Sequence, residues 1–386
     1  MKNDDNNPPK IRRSMNIQTS PTPSFWEADL WPRAPDLLVV GAGIVGSTAA
    51  RLYKERNPSH TVLLIDRASQ PLGASTRNAG FACIGSIGEH LADGARTDPE
   101  TVFSRIERRW NGLQKLLSSV PPDVVGYEAC GGVEIFTDDE PFEEARSEIS
   151  RFNSELHRRI GEEAVYRERE VNGYPAIENR LEGALHSGRL METLLGLAAE
   201  AGVQIRWNCE LTSLNNGTAV LSTGETLSPK QTLLAVNAWA PQFIDLPVQP
   251  ARGQVFITKP IPQLHWRGTF HYHQGYVYFR NVGDRLLLGG ARHVDQKGET
   301  TNAFGIHSGI SDWLHRFADD VLKLPHGWQT EHHWSGIMGM TPDKNPVIQR
   351  KDSLVYAAGL SGMGVAIGSD VAAQAVELLC QPLSSS

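Results

Sequence analysis

A glycine-rich turn between two short apolar segments constrains this chain more than any other feature. Residues 37–66 read LLVVGAGIVGSTAARLYKERNPSHTVLLID, in which Gly41, Gly43 and Gly46 have the spacing GxGxxG. The run before the turn predicts a strand, the segment after it predicts a helix up to Lys54, and TVLLID predicts a second strand. The chain is therefore expected to contain a βαβ unit with parallel strands and a right-handed crossover.

The residues of this unit indicate a dinucleotide. The first glycine permits the tight turn, the second lets the backbone approach a pyrophosphate, and the third allows close packing of the helix. The free N–H groups and the positive dipole end of the helix favour phosphates. Asp66 ends the second strand, where a carboxylate can accept hydrogen bonds from a ribose. The motif predicts a bound adenine dinucleotide, but it does not separate NAD from FAD.

Composition places the chain among ordinary globular proteins. It has 386 residues, 40% of them hydrophobic, which is enough for two structural units. The formal net charge of -7 argues against a general affinity for nucleic acid or anionic lipid. The four cysteines form no CxxC pair, so neither a zinc site nor a disulfide framework is predicted.

The ends and the hydropathy of the chain bear on its location. Residues 1–34 are polar and are expected to form a flexible N-terminal arm without the apolar core of a signal peptide. No apolar run approaches the length of roughly 20 residues that spans a bilayer. We therefore expect a cytoplasmic protein without a membrane span.

A second type of structure follows further along the chain. GQVFIT, GTFHYH, GYVYFR and RLLLGG, between Arg252 and Gly290, predict short antiparallel strands. Helix and strand alternate before them, up to a buried strand predicted at Thr232–Trp239, and again in the C-terminal tail. The expected fold class is α/β, with a Rossmann-like domain and a second α+β substrate domain that contains an antiparallel sheet. The predicted ranges are 35–110, 180–245 and 335–386 for the first domain, and 111–179 and 246–334 for the second.

Several segments resemble the D-amino-acid oxidase and glycine oxidase superfamily of FAD-dependent enzymes, called the DAO family. They are GASTRNAGF at 73–81, WSGIMGMTPDKNPVI at 334–348 and AAGLSGMGVAIG near the C terminus. VQIRWNCEL and PARGQ resemble two segments of glycine oxidase and occur in the same order. The resemblance covers most of the chain from Asp36 onwards, and it implies that the dinucleotide is FAD.

The resemblance also implies which residues hold FAD. A helix that starts near Gly364 would direct its first amides at flavin N1 and the C2 carbonyl. Leu211 would contact adenine through its backbone. The full set of expected FAD-binding residues is Gly41, Ala42, Gly43, Ile44, Val45, Gly46, Asp66, Arg67, Ala74, Ser75, Thr76, Arg77, Asn78, Ala79, Gly80, Leu211, Gly336, Gly359, Ser361, Gly362, Met363 and Gly364.

Four positions depart from the pattern of the relatives. Gly336 stands where sarcosine oxidase relatives have the cysteine that bonds the flavin, so we predict non-covalent FAD. Met338 and Gly362 stand where arginines anchor the substrate carboxylate, which argues against a simple D-amino acid or glycine as substrate. Leu287 stands where a lysine activates oxygen, which favours a dehydrogenase over a fast oxidase. The electron acceptor stays open between oxygen and a quinone.

The substrate site is expected around Tyr276, Arg280, Arg292 and Met338. Tyr276 and Arg280 match the family's YxxPR segment, and with Tyr278 they alternate along one face of a predicted strand. Arg292 is the predicted replacement for the missing carboxylate anchor. The alternative is that Arg292 pairs with a surface carboxylate.

The reaction expected from this resemblance is oxidation of the C–N bond of an amino acid or amine. Hydride passes to flavin N5, and the resulting imine hydrolyses. Two alternatives are a flavin dehydrogenase of a 2-hydroxy acid or other alcohol, and a dinucleotide-binding redox sensor without turnover. Nine of the thirteen histidines lie between His265 and His333. One of them is a possible active-site acid or base, whereas a metal site is disfavoured because no carboxylate spacing accompanies them.

Overall fold

The computed structural model describes residues 24–30, 32–215 and 217–382. Its strands are β1 Leu37–Val40, β2 Val62–Ile65, β3 Phe81–Ala82, β4 Gly132–Ile135, β5 Tyr166–Val171, β6 Tyr174–Asn179, β7 Gly183–Ala184, β8 Gln204–Arg206, β9 Leu211–Asn215, β10 Thr218–Leu221, β11 Thr226–Leu227, β12 Gln231–Leu234, β13 Gln249–Thr258, β14 Thr269–Tyr272, β15 Val277–Val282, β16 Arg285–Gly290, β17 Thr330–Met340, β18 Val347–Lys351 and β19 Leu354–Ala358. Its α-helices are α1 Phe25–Leu30, α2 Ile44–Arg56, α3 Ala74–Arg77, α4 Ile87–Gly94, α5 Pro99–Ser119, α6 Pro122–Val125, α7 Asp139–Ile160, α8 Ser187–Glu200, α9 Ser308–Asp320 and α10 Gly364–Cys380. Two 3₁₀ helices span Asn237–Gln242 and Arg292–Asp295.

A six-stranded sheet carries the glycine turn. Its order is β18-β19-β12-β1-β2-β8, with all neighbours parallel except the edge pair β18 and β19. Every residue of β1 and β2 is buried, as expected for parallel strands that are covered on both faces. Helices α2 and α10 pack on one face, and the three-stranded sheet β11-β10-β9 packs on the other. The predicted βαβ unit is confirmed.

An eight-stranded sheet forms the second layer. Its order is β17-β13-β16-β15-β14-β4-β6-β5, and its neighbours are antiparallel except for β14 and β4. One face packs against α9 through Ile310, Leu314 and Phe317. The antiparallel sheet predicted from the turn-separated strands is therefore confirmed, and its other face is available to the glycine turn.

One predicted strand is wrong in its extent. Thr232–Trp239 was expected to be a single strand, but β12 ends at Leu234 and a 3₁₀ helix begins at Asn237. The backbone turns here because Asn237 adopts a positive φ of 45°, and its side-chain oxygen accepts the Gly359 amide at 3.0 Å. A tertiary hydrogen bond therefore ends the strand at the carboxyl edge of the sheet.

Two of the predicted domain boundaries fall inside secondary-structure elements. The boundary at 110/111 lies within α5 and the boundary at 334/335 lies within β17, and both elements are continuous. Helix α5 packs against α10. The predicted domain ranges stay a prediction.

Most of the predicted arm lies outside the described residues. These are residues 1–23 and 31. The remaining part of the range 1–34 contains α1, and the carbonyl of Leu30 accepts a hydrogen bond from the Gln204 side chain at 2.7 Å. Within the described ranges, no helix combines the length and the apolarity that crossing a membrane requires.

Asp370 joins α10 to α5. Its carboxylate accepts hydrogen bonds from Lys115 Nζ at 2.6 Å and Arg108 Nε at 2.9 Å, and its side chain is 9% exposed. Burial alone would raise the pKa of Asp370, but these two cations outweigh burial and lower it. The contact matters for the site because it holds the helix that begins at Gly364.

We expect Asp370→Asn to lower the free energy of unfolding by about 1–3 kcal/mol at pH 7, since two charged hydrogen bonds are lost. Because the folded-state pKa is depressed, this stability is present above the unfolded pKa of about 3.9 and is lost as pH falls through the folded pKa. Urea unfolding at several pH values should show the difference from the natural protein shrinking towards pH 3. Asp320→Asn, at an exposed position of α9, is the control. A difference that stays constant with pH would contradict the assignment.

Candidate active site

A cavity of about 570 Å³ is lined by both large sheets. On one side it meets the carboxyl ends of β1, β2, β12 and β19, the edge at which open parallel sheets bind ligands. On the other side it meets β13, β14, β15 and β17 of the eight-stranded sheet. Its volume is within the range of small-molecule and cofactor sites.

The glycine turn forms part of the wall and depends on two of its glycines. Gly41 has a φ of +102°, and a Cβ there would lie 2.6 Å from the Ala235 carbonyl oxygen. A Cβ on Gly46 would lie 1.8 Å from the Gly41 carbonyl oxygen. A side chain at Gly46 would push α2 away from the strand, and one at Gly41 would be strained and would collide with the residue after β12. The turn therefore requires glycine for close packing, as its sequence predicts.

Asp66 holds the turn in place. Its Oδ2 accepts the Ala42 amide at 2.9 Å, and its Oδ1 accepts the Ala68 amide at 3.0 Å. Each carboxylate oxygen has a second acceptor position, so a ligand hydroxyl can still bind there. Ser75 completes the contact by accepting the Ile44 amide at 3.1 Å.

Two helices begin at the cavity without a side-chain cap. The first residues of α2 and α10 line the cavity, and neither Gly43 nor Met363, their N-cap residues, makes a side-chain hydrogen bond to the helix. By contrast, side chains cap α4, α5, α8 and α9. Apart from the Ile44 amide, which Ser75 accepts, the first amides of α2 and α10 are therefore directed to the cavity, where the positive dipole ends favour anionic groups.

Arg67 and Trp239 form one end of the cavity. The Arg67 guanidinium lies 4.3 Å from the centre of the Trp239 ring, and both side chains line the cavity beside Leu211. A flat cation stacked on an indole offers a planar surface for a heterocycle. Trp239 was not anticipated, because the sequence placed it in a buried strand.

The segment from Gly73 to Phe81 is fastened to β17. Arg77 Nη1 donates to the Ser335 carbonyl at 2.9 Å, and Trp334 Nε1 donates to the Arg77 carbonyl at 3.0 Å. Asn78 Oδ1 accepts the Gly80 amide at 2.8 Å. Two segments singled out separately in the sequence therefore form one wall.

The expected substrate residues are partly brought together. Tyr276, Arg292 and Met338 line the cavity, and Tyr278 lies beside them. Arg280 does not line the cavity, since its Nη1 donates to the Gly80 carbonyl at 3.1 Å behind the wall. Tyr276 also differs from expectation, because β15 begins one residue after it.

Arg292 has no anionic partner within the described ranges of the chain. It forms no hydrogen bond or ion pair there, although it is half-buried at the cavity wall. Burial lowers the pKa of its guanidinium, while Tyr276 and Glu299 oppose this. Glu299 itself bonds Arg252 at 2.7 Å, so its charge is already compensated. The alternative surface ion pair for Arg292 is not observed.

Four expected FAD-binding residues lie behind the wall rather than in it, as Arg280 does. They are Gly46, Thr76, Gly80 and Gly359. Thr76 donates to the Pro71 carbonyl at 2.6 Å, and Gly46 packs against the first turn glycine. The other eighteen residues expected at the cofactor line the cavity. These four residues support the backbone of the cavity wall and do not line the cavity itself.

Sequence reasoning missed a charged wall on α4 and on the loop after β17. Glu89, Asp93 and Lys344 line the cavity, and Lys344 Nζ lies 2.6 Å from Asp93 and 3.6 Å from Glu89. Arg109 bonds Glu89 from within the core at 3.1 Å. These residues share no motif, and only packing brings them together. The single local signal is the Ser86 cap, which marks the start of α4.

Two of the histidines between His265 and His333, His271 and His273, are two residues apart but do not share a strand face. His271 is buried on β14 and lines the cavity, whereas His273 follows the strand with a φ of +52° and is exposed. In the described part of the chain, no three histidine, cysteine or acidic side chains are grouped so as to hold a metal ion.

Comparison with known proteins identifies relatives with this arrangement. The sequence model of the DAO family, described as FAD dependent oxidoreductase, matches residues 36–378. The bifunctional protein ThiO/ThiG of Synechocystis sp. is 24% identical over 89% of this chain, which spans only 51% of that protein. L-amino acid deaminase from Proteus vulgaris has a TM-score of 0.70 at 20% identity, covering 92% of each chain. Glycine oxidase from Geobacillus kaustophilus has a TM-score of 0.68 at 21% identity, covering 91% of this chain and 96% of that one.

Proposed function

The chain belongs to the DAO family of FAD-dependent oxidoreductases, and from this premise we propose that it oxidises the C–N bond of an amino acid or amine. When bound, FAD accepts the hydride that leaves the substrate carbon. The protein has to bind and orient the substrate, anchor its anionic group and favour its neutral amine. The relatives that it resembles include an L-amino acid deaminase and a glycine oxidase, which supports this substrate class.

We assign the adenosine and pyrophosphate of FAD to the end of the cavity that the glycine turn forms. Asp66 would accept ribose hydroxyls, Arg67 and Trp239 would flank the adenine, and the first amides of α2 would bind phosphate. The start of α2 at the cavity wall, where the N-cap residue provides no side-chain cap, fits this group. The first turn of α10, from Gly364, would hold the flavin ring.

We further propose that FAD is bound without a covalent bond. The position from which relatives attach their flavin is Gly336, which has no side chain. Cys83 also lines the cavity, but burial raises the pKa of its thiol well above the ordinary value, which keeps it protonated and unreactive.

Precipitation of the purified yellow protein with acid is therefore expected to release all of the flavin into the supernatant. The absorbance of supernatant and pellet measures the distribution. Cys83→Ala, which removes one of the two cavity-lining thiols of the described chain, should give the same result, and so should Cys209→Ala, which removes the other. A pellet that stays yellow in the natural protein would contradict non-covalent binding, and loss of that colour in Cys83→Ala would identify the attachment.

The absence of a partner for Arg292 in the described chain is the observation that carries the substrate assignment. An unpaired, half-buried guanidinium is costly, and a substrate carboxylate would compensate it with charge-assisted hydrogen bonds. Tyr276, which lines the same cavity, can donate its hydroxyl to the same carboxylate. Met338 leaves the place of the usual arginine apolar, so Arg292 would take over as the anchor.

A substrate panel tests the function. The protein is mixed without oxygen with D- and L-amino acids, N-methyl amino acids, amines and hydroxy acids, and loss of the oxidised flavin absorbance is followed. Bleaching by an amine with release of ammonia or a smaller amine supports the proposal. A keto product without nitrogen from a hydroxy acid would indicate an alcohol dehydrogenase, and no bleaching by any member would indicate a redox sensor.

The acceptor of the electrons is a separate proposal. Leu287 is buried with Ala79 and Val255 beside the cavity, where relatives that react with oxygen have a lysine. We propose a dehydrogenase that passes electrons to a quinone faster than to oxygen. Rates of flavin reoxidation with a soluble quinone analogue and with oxygen separate the two acceptors.

A further inference from the structure

A row of three ionisable side chains crosses the cavity face of the eight-stranded sheet. His271 on β14 pairs in register with Glu134 on β4 and with Tyr278 on β15. Residues directly opposite each other on neighbouring strands have side chains on the same face. His271 and Tyr278 line the cavity, whereas Glu134 lies under α4 and accepts the Gly88 amide at 2.8 Å. The function proposed above uses none of the three.

Glu182 determines the protonation pattern of the imidazole. His271 Nε2 lies 2.8 Å from Glu182 Oε2, and Glu182 is fully buried. The other carboxylate oxygen accepts the amides of Ile84 at 3.1 Å and Gly85 at 2.8 Å. A carboxylate can only accept hydrogen bonds, so Nε2 carries the hydrogen in the neutral ring and Nδ1 carries the lone pair.

Nδ1 of His271 is the nitrogen left for the cavity. No group in the described ranges bonds it, and the ring forms part of the cavity wall. The ring of Phe81 packs against it with centroids 5.5 Å apart and also packs on Tyr278 at 5.7 Å. The imidazole is thus clamped between a carboxylate and an aromatic ring, with one acceptor directed to ligand space.

The surrounding charges favour a proton on His271. Burial lowers the pKa of His271, but the charge and hydrogen bond of Glu182, with the more distant charges of Glu134 and Glu89, outweigh burial and raise it. On the neighbouring strand β4, burial raises the pKa of the Glu134 carboxyl, which favours its protonated form.

The Tyr278 hydroxyl and the Cys83 thiol, which also lie near the ring, stay neutral over the working range. Burial raises the pKa of Tyr278 to about 12 and that of the Cys83 thiol well above its ordinary value. His271 combines a raised pKa with a ring nitrogen that no group in the described ranges bonds, and both features suit a base that accepts a proton.

We propose that His271 is the base that accepts the proton which a substrate ammonium must lose before its carbon can give up a hydride. The N–H bond breaks with its electron pair staying on the substrate nitrogen, and an Nδ1–H bond forms. The positive charge moves from the substrate to the imidazole, where Glu182 stabilises it, so Glu182 is a positioning residue. This inference rests on the amine oxidation proposed above.

The test compares the natural protein with His271→Gln, using the amine that bleaches the flavin fastest in the panel. At pH 7 the second-order rate constant for bleaching should fall at least about 100-fold, since a positioned base contributes roughly that much. At pH 10 the variant should recover to within tenfold of the natural protein, because the amine arrives neutral. His332→Gln, at an exposed position of β17, should match the natural protein at both pH values.

Two results would overturn the role. One is an equal loss at pH 7 and pH 10, which indicates damage to packing. The other is normal bleaching by His271→Gln at pH 7, which shows that no base is needed from this ring. If no amine bleaches the natural protein, the proposed function itself fails. If an amine does bleach it and His271→Gln gives either of the two results above, only the role of His271 fails.

A second measurement does not depend on whether His271→Gln folds. Nitrogen-15 NMR of the natural protein labelled in histidine reports the tautomer, with His271 as one of thirteen signals and Glu182→Gln as the assignment aid. The proposal predicts an Nε2-protonated ring at alkaline pH that gains a proton at Nδ1 as pH falls. A buried ring protonated at Nδ1 and bare at Nε2 would exclude it as the base.

Discussion

Replacing Arg292 by methionine is expected to raise KM for a carboxylate-bearing substrate more than tenfold, a loss of about 1.4 kcal/mol or more. Methionine has a similar length but no charge, so the substrate carboxylate would lose its charge-assisted hydrogen bonds. Because no group of the described chain pairs with Arg292, the variant leaves no carboxylate of the protein uncompensated. The effect should therefore appear in substrate binding and not in stability.

A pair of substrates sharpens this prediction. An amino acid and the amine that lacks its carboxylate should differ strongly in KM with the natural protein and little with Arg292→Met. Arg285→Met, which removes a partly exposed arginine of β16 that pairs with Glu331 on β17, is the control and should leave KM unchanged. Equal KM values for Arg292→Met and the natural protein would remove Arg292 from the substrate site.

Replacing Gly46 by alanine is expected to leave the protein with less than about a tenth of its flavin. The added Cβ would lie 1.8 Å from the Gly41 carbonyl oxygen, well inside any tolerable contact, and the obstacle is backbone. The start of α2 would have to move away from β1, and the amides proposed to bind the pyrophosphate would move with it. Flavin per polypeptide, measured by absorbance after purification, reports this loss.

Gly196→Ala provides the matched control. Gly196 also lies inside a helix, α8, but a Cβ there meets nothing within 4 Å. The control should retain its flavin and gain up to about 1 kcal/mol of stability, since alanine favours the helix more than glycine. If Gly46→Ala kept a full complement of flavin, the turn would not be the cofactor's binding element.

Structural predictions from the sequence were correct where the residues that determine a feature lie close together in the chain. The glycine turn, Asp66 and the flanking strands lie within 30 residues, and their geometry follows from backbone sterics and strand pairing. The turn-separated strands after Arg252 were also correct, because alternation and turn residues are local signals. Predictions failed where a distant contact overrides the local pattern, as when Asn237 bonds the turn at Gly359 and ends the strand early.

The substrate end of the cavity shows the same limit. The alternation of side chains along the strand predicted the face on which Arg280 lies. The group that Arg280 contacts, the Gly80 carbonyl, belongs to a loop 200 residues earlier and could not be predicted from the strand. The charged wall of Glu89, Asp93 and Lys344 has no sequence signature beyond the Ser86 cap of α4, because its parts come from α4 and the loop after β17. Ion pairs between distant segments exist only once the layers have packed.

The sequence by itself determined the cofactor class and the element proposed to hold it, because a GxGxxG turn with an acidic strand end is a short-range structure whose residues each have a steric or hydrogen-bonding reason. Only the tertiary structure decided which of the side chains proposed for the substrate site line the cavity. It left Arg292 without a partner in the described chain, set Arg280 behind the wall, and joined His271 to Glu182 across 89 residues. Those outcomes depend on how two sheets and several helices meet, and the free energy of that packing is not encoded in any one segment.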